Sequence, residues 1–224
     1  MSEIKIVSID IDGTLLNDQR EVTPEVKQAI KHALAQDVKI VITTGRPLPG
    51  VKGILAELGI AGDNQYVITY NGGLVQTADG KKTLFRQPLS VAEFKKINDF
   101  MVSKDTYVQV ETHDAAYTTH HKIHPWASFE NSLVNLPLFV LDSEAELEKV
   151  EFIKAIANDE ESKLDLVQAA VPDDISQNVN VIRSTANNLE FIDRQASKGN
   201  SLLALAKKLA VKPSETMAIG DQAN

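Results

Sequence analysis

The sequence predicts an α/β protein, a doubly wound and mostly parallel sheet that carries an inserted α/β segment. Three observations point there. Short apolar runs alternate with amphipathic segments through the first eighty residues, the rhythm changes at about Thr83, and it resumes near the C-terminal end.

The elements follow in order. Ile4–Ile9 reads as a strand. Thr23-Pro24 is an N-cap followed by proline at the first helical position, and Val26, Ile30, Ala33 and Leu34 then share one helix face. Val38–Ile42 is a second strand, Pro47–Leu58 a helix closed by Gly59, and Tyr66–Tyr70 a third strand ending in "NGG". Strands this continuously apolar imply a parallel sheet covered on both faces. Beyond Thr83 the reading is α+β: a capping box at Ser90-x-x-Glu93 opens a helix with Phe94, Ile97 and Met101 on one side. Val108 and Val110 alternate with polar neighbours, Ser143-x-x-Glu146 is a second capping box, and Val150–Ile156 is strand-like. A helix is expected at Lys163–Val171, then two strands in "VNVIRSTANNLEFID" joined by a turn at Ala186-Asn187-Asn188. Lys198–Leu209 reads as helix and Glu215–Gly220 as strand. The expected division is a core of residues 1–82 and 190–224, with residues 83–189 as an inserted domain.

At 224 residues and 43% hydrophobic content the chain can fill a real core. The net charge of −8 disfavours nucleic acid or an anionic membrane as partner, since either needs clustered Lys and Arg, so an anionic ligand must meet a local positive site. There is no cysteine, which excludes disulfides, thiol catalysis and thiolate metal sites. "MSEIKIVSID" enters a strand without a basic leader or apolar run, and no stretch approaches the ~20 apolar residues of a membrane span, so a cytoplasmic protein is expected.

Chemistry concentrates at the ends of the expected strands. In "IVSIDIDGTLLN" Asp10 and Asp12 close the first strand and Gly13 permits a sharp turn. By the period of two they can point the same way, where like charges repel unless a cation or a shared proton intervenes. That suggests a hard-metal site with one carboxylate free as nucleophile or acid/base group. The plainer alternative is one Asp capping a turn and the other solvated. In "TTGRP", Thr44 and the Gly45 amide can donate to phosphate oxygens and Arg46 can add a charge-assisted contact, although the same residues also make an ordinary strand-to-helix turn. Lys198 in "SKGNSL" opens a helix, where a positive charge opposes the helix dipole and hints at an anionic neighbour. "GDQAN" places Asp221 after a further strand, with Asn224 three residues on. Ligands of doubly wound sheets sit beyond the carboxyl ends of the strands, so these groups converge on one crevice.

"DIDGTLL", "TTGRP", "SKGNSL" and "GDQAN", in that order and with a long insertion between the second and third, resemble the haloacid dehalogenase superfamily, in particular its Cof-like sugar-phosphate phosphatases. The resemblance implies a Rossmann-like core with an inserted α/β cap of the C2 type. It implies Asp10 as nucleophile forming an aspartyl-phosphate, Asp12 as general acid and base, and Mg²⁺ held by Asp10, Asp12 and Asp221. It implies Thr44, Gly45, Arg46, Asn71, Gly72, Lys198 and Asn224 around the phosphate of a small phosphorylated metabolite. Against the family pattern "GDxxND" the sequence stops at Asn224. A C-terminally truncated, slowly turning-over phosphatase is the resulting expectation, with a phospholigand-binding or regulatory protein and a phosphomutase as alternatives. His113, His120, His121 and His124 are read as solvated, Asp159–Ser162 as a solvated loop before a helix, and Trp126 as core.

Overall fold

A computed structural model describes residues 3–221. In chain order the elements are β1 (Ile6–Asp10), α1 (Pro24–Ala35), β2 (Lys39–Thr43), α2 (Lys52–Glu57), β3 (Tyr66–Thr69), β4 (Leu74–Thr77) and β5 (Thr83–Arg86). Then come α3 (Val91–Ser103), β6 (Tyr107–Glu111), β7 (Ala116–Thr118), α4 (Pro125–Leu133), β8 (Leu138–Val140), α5 (Glu144–Leu147), β9 (Lys154–Asn158) and α6 (Glu161–Ala169). The series ends with α7 (Asp173–Ser176), β10 (Val179–Thr185), β11 (Asn188–Asp193), α8 (Lys198–Lys208) and β12 (Thr216–Ile219). The chain divides into two compact units, Met1–Arg86 with Ser197–Asn224, and Gln87–Ala196.

The first unit holds a six-stranded sheet in the order β12-β1-β2-β3-β4-β5. β12, β1, β2 and β3 run parallel, and β4 and β5 extend the sheet antiparallel. The sequence signalled only the parallel strands; Gly72 and Gly73 turn the chain back on itself, and the Leu74–Thr77 run was not separated from that turn. Alternation along the strands sorts side chains to two cores, as a doubly wound sheet requires. Ile9, Ile40, Ile42 and Val67 pack with α1 and α2, through Ile30 and Leu55. Ile6, Val41 and Ile68 pack on the other side with Leu202, Leu205 and Ala206 of α8. Thr23 caps α1 by accepting from the Val26 amide, a contact worth about 1 kcal/mol. Expected as one helix, Pro47–Leu58 is instead a 3₁₀ turn at Leu48–Val51 followed by the short α2.

The second unit has its own sheet, β10-β11-β9-β6-β7-β8. Its neighbours pair antiparallel except β7 with β8. One face is apolar: Val108, Val110, Ala155, Ala157, Leu189 and Phe191 pack with Phe94, Ile97 and Met101 of α3 and Leu164 and Val167 of α6. Ser90 and Ser143 cap α3 and α5 by accepting from the Glu93 and Glu146 amides, the serine half of each predicted capping box, while the Glu146 carboxylate accepts from the Asp142 amide and Glu93 pairs with Lys96. The opposite face is polar yet buried, with Gln109, Glu111, Lys154, Asn158 and Glu190 all nearly inaccessible.

Three expectations are corrected. The unit boundaries fall at 86/87 and 196/197, not 82/83 and 189/190, because β5 pairs with β4 in the first sheet and β11 runs to Asp193 in the second. The strand read at Val150–Ile156 is β9 at Lys154–Asn158; Phe152 instead fills the core beneath it. Asp159 is not solvated but buried, bridged to Lys163 at 2.6 Å and facing His124 at 3.6 Å.

Candidate active site

Topology builds the site before any side chain is considered. β1 lies between β12 and β2, so the chain leaves it toward one side of the sheet while its other neighbour arrives from the far end of the sequence. This is a switch point in strand order, where parallel sheets open a crevice at their carboxyl ends. Asp10 is the last residue of β1 and is in register with Thr43, and Ile9 is in register with Ile219 of β12. Asp10, Thr44 and Asp221 therefore lie along one edge.

Alternation decides what Asp10 meets. Ile6 belongs to the core on the α8 side, so Ser8 and Asp10 point the same way. Ser8 and Thr43 accordingly share a hydrogen bond of 2.5 Å beneath the crevice. The Lys198 ammonium, at the first position of α8, donates to Asp10 Oδ1 at 3.1 Å. Both side chains are only about one-seventh exposed, at 14% and 15%. The misplaced positive charge at this helix start thus has its anion.

Asp12 behaves differently. The strand ends at Asp10, and residues 11–15 form a single wide turn closed by the Leu16 amide donating to the Ile11 carbonyl. Asp12 leaves the pleat, is 60% exposed, and pairs with Arg46. The pairing is bidentate: Nη2 to Oδ1 at 2.6 Å and Nε to Oδ2 at 3.2 Å. The period-two expectation that the two carboxylates point together gives way to a division between two cations. Arg46, expected on the phosphate, has its guanidinium on Asp12.

The remaining residues close the ring. Thr44 is buried, and its hydroxyl oxygen accepts from the Arg46 amide at 3.1 Å, which leaves its O–H free to donate. Gly13 has φ +79°, and a Cβ there would stand 2.8 Å from Asp221 Oδ2, so the bare glycine is what lets this last acid approach the β1 turn. A Cβ on Gly45 would stand 3.0 Å from the Asn71 amide group, which places Asn71 against the "TTGR" loop. Tyr70, Asn71 and Gly72 have successive φ values of 55°, 53° and 96°, a run of left-handed backbone that costs on the order of 1–3 kcal/mol at each non-glycine residue. Gly72 packs on α8. Asn224 lies outside the described residues.

Sequence reasoning overlooked Thr14, whose buried hydroxyl has no hydrogen-bond partner. The "DGT" spelling was its only signal. The histidines do not assemble a metal site: among the described residues there is no group of three or more His, Asp or Glu side chains placed to hold an ion. His124 caps α4, its Nδ1 accepting from the Trp126 amide at 3.3 Å. His120 lies against the Tyr107 ring at 5.4 Å, and burial pulls its pKa below the ordinary value. Trp126 is half-buried and not core; its indole donates to Glu160 at 3.1 Å. Among the described residues no helix is long and apolar enough to cross a membrane.

An acid at the end of a central parallel strand, with a lysine on it and a hydroxyl and a second acid on the flanking strand ends, defines an α/β hydrolytic site. The chain belongs to the haloacid dehalogenase-like hydrolases, whose family model matches residues 7–224. A Streptococcus pyogenes protein named as a presumed phosphatase is 37% identical over 221 residues, 99% of this chain and 82% of that one. YxeH of Bacillus subtilis, likewise named as a presumed phosphatase, is 33% identical over 98% of this chain and 82% of its own length. YwtE of Bacillus subtilis, named as a 5-amino-6-(5-phospho-D-ribitylamino)uracil phosphatase, is 31% identical over 75% of this chain and 49% of its own. Among solved structures, a haloacid dehalogenase-like hydrolase from Bacteroides thetaiotaomicron superposes with a TM-score of 0.83 at 20% identity, over 98% of this chain and 82% of that one.

Proposed function

We propose that the chain is a cytoplasmic, Mg²⁺-dependent phosphatase of small phosphate monoesters, sugar phosphates in particular, and that it works through an aspartyl-phosphate on Asp10. The observation that carries this is Asp10 itself: a sparingly exposed carboxylate at the switch point of the sheet, fixed by Lys198 at 3.1 Å. The names of the relatives support a phosphatase, and YwtE, named as a phosphatase of 5-amino-6-(5-phospho-D-ribitylamino)uracil, supports a small phosphate monoester as substrate.

In the first step an Asp10 oxygen attacks phosphorus, the bond from phosphorus to the ester oxygen breaks, and Asp12 gives a proton to the departing alcohol. In the second, Asp12 takes a proton from water as that water attacks the phosphorus of the acyl phosphate. The bond from phosphorus to Asp10 breaks, inorganic phosphate leaves, and Asp10 is again a carboxylate and Asp12 again the protonated acid that began the cycle. Thr44 and the Gly45 amide donate to the phosphoryl oxygens, and Lys198 offsets charge both on Asp10 and on the phosphoryl group. Arg46 holds Asp12.

The donor set fits Mg²⁺. Asp10, Asp221 and the Asp12 carbonyl are hard oxygen donors, and this ion commonly takes one or two carboxylates and keeps its waters, so no cage of three side chains is needed. The contact that only a glycine at position 13 permits, at the β1 turn, is the cradle for it. When bound, the ion would polarise the phosphoryl oxygens and reduce repulsion between the anionic nucleophile and the anionic substrate.

The test is phosphate release from a panel of sugar phosphates with Mg²⁺ and with EDTA, alongside Asp10→Asn. We expect metal-dependent release that the variant loses while still binding ligand. Unchanged turnover in Asp10→Asn would remove Asp10 from the chemistry, and thermal stabilisation by sugar phosphates without release would make the chain a binding protein.

A further inference from the structure

We propose that Ser201 is a positioning residue for Lys198, acting through Gly72. The inference rests on the reading of Lys198 as the partner of Asp10. Ser201 lies within the "SKGNSL" stretch, of which only Lys198 reads as functional in the sequence.

Two contacts fix the first turn of α8 against the loop that follows β3. A Cβ on Gly72 would stand 2.2 Å from the Ser197 carbonyl oxygen and 2.9 Å from the Lys198 amide nitrogen, so the helix's first peptide lies directly on the bare Cα. One turn later the Ser201 hydroxyl, fully buried, donates to the Gly72 carbonyl at 2.6 Å. Ser197 and Ser201 are four apart and so share a helix face. Gly72 therefore grips that face at both ends of the first turn, which sets its depth and its rotation about the helix axis. Lys198 projects from the same turn and reaches Asp10. Below it, Leu202, Leu205 and Ala206 pack into the sheet, so the rest of the helix has an apolar anchor and only its first turn depends on Gly72.

The loop itself is held from the other side. The Asn71 amide donates to the Thr44 carbonyl at 3.0 Å, and the Tyr70 amide donates to the Arg46 carbonyl at 3.4 Å. Three residues in left-handed backbone thus connect the hydroxyl-bearing turn after β2 to the lysine-bearing turn of α8. Ser201 is the side chain that closes this connection. Gly72, expected beside the substrate, has its Cα face and its carbonyl occupied by the helix.

The test reads Lys198 directly. Trace acetylation with acetic anhydride, followed by mass spectrometry, gives the labelling of Lys198 relative to exposed Lys207 in the same chain. An amine held on a carboxylate acylates slowly, so Lys198 should label several-fold less than Lys207. In Ser201→Ala the ratio should rise several-fold toward unity. In Ser201→Thr, which keeps the hydroxyl, it should stay near the parent's. If the alanine variant melts below the working temperature, Ser201→Cys, slightly larger and a weaker donor, takes its place. On phosphate monoesters the same variant should lower kcat several-fold with little change in KM. An unchanged labelling ratio in a folded Ser201→Ala overturns the inference. Absence of phosphate release by the parent chain would instead refute the phosphatase reading, and the labelling ratio would still decide the role of Ser201.

Discussion

Asp10 and Asp12 stand two residues apart but engage different cations, and this gives the two carboxylates different surroundings. Asp10 is sheltered and fixed by Lys198; Asp12 is largely in solvent and steered by Arg46. Because Asp12 is so exposed, its ion pair contributes no more than about 0–1 kcal/mol to folding, and its value lies in orientation. Arg46→Ala should therefore leave the melting temperature almost unchanged. It should lower kcat by about ten- to a hundredfold, part of the ~10²–10⁴ that a positioned proton-transfer group supplies. Steady-state kinetics on one sugar phosphate decides the matter. A raised KM with kcat intact would place Arg46 on the phosphate, as the resemblance implied, and not on Asp12. The acids, Thr44 and Lys198 were legible in the sequence because each sits at a strand end or helix start that apolar periodicity located. Arg46's attachment to Asp12 was not legible, since it depends on where a turn of residues 11–15 leaves the pleat. Ser201 was hidden for a similar reason: its partner is a carbonyl 129 residues away, and no spacing encodes that.

At the level of elements, caps and periodic strands could be read, and what escaped was short or polar. β8 has three residues, too few for alternation to show, and α4 starts at His124-Pro125, where the capping acceptor is a ring nitrogen and not the usual hydroxyl or carboxylate. β9 was misplaced because it begins with a lysine. Lys154 lies buried between Glu111 at 3.4 Å and Glu190 at 3.1 Å, on strands flanking its own. Burial alone would lower its pKa, but the two carboxylates outweigh that and hold it raised; burial pushes Glu111 up, only partly countered by Lys154. Such a triad is costly to break and not especially stabilising to own. Lys154→Met should lose about 3–5 kcal/mol by stranding two buried carboxylates, whereas replacing all three with apolar residues of similar volume should be near neutral. Urea denaturation midpoints test this, and equal midpoints for the single and triple variants would show that the site is not desolvated. His120 adds a pH term with a definite sign. Burial holds its folded pKa below the ordinary histidine value of 6.5, so the unfolded chain binds the proton more readily. Stability from this ring is complete above about pH 6.5 and is lost as the pH falls through the lowered folded value. Melting curves from pH 7.5 to 5 should fall less steeply for His120→Asn than for the parent, and parallel curves would exclude the contribution.

Across the whole molecule, a chain of net charge −8 that handles an anionic ester must gather positive charge locally, because its long-range field is repulsive. Lys198 and Arg46 supply two charges at the crevice, and both are matched by Asp10 and Asp12. With Asp221 beside Gly13 the balance of this cluster is one negative charge before any substrate arrives. An added phosphate monoester makes it more negative still. A bound divalent cation would reverse that sign, so on the proposed reading binding of Mg²⁺ alone should be measurable as stability. A ligand that binds only the folded state at about a hundred times its Kd adds ~2.7 kcal/mol. For a chain of this size each kcal/mol raises the melting temperature by about 2–4 °C. Differential scanning fluorimetry with millimolar Mg²⁺ should therefore show a rise of several degrees, reversed by EDTA. Asp221→Ala should abolish the rise, while Asp12→Asn, which keeps its main-chain carbonyl, should retain most of it. A shift that survives Asp221→Ala would place the cation elsewhere on this acidic chain. A loss in Asp12→Asn equal to that in Asp221→Ala would make the Asp12 side chain, and not its carbonyl, the donor.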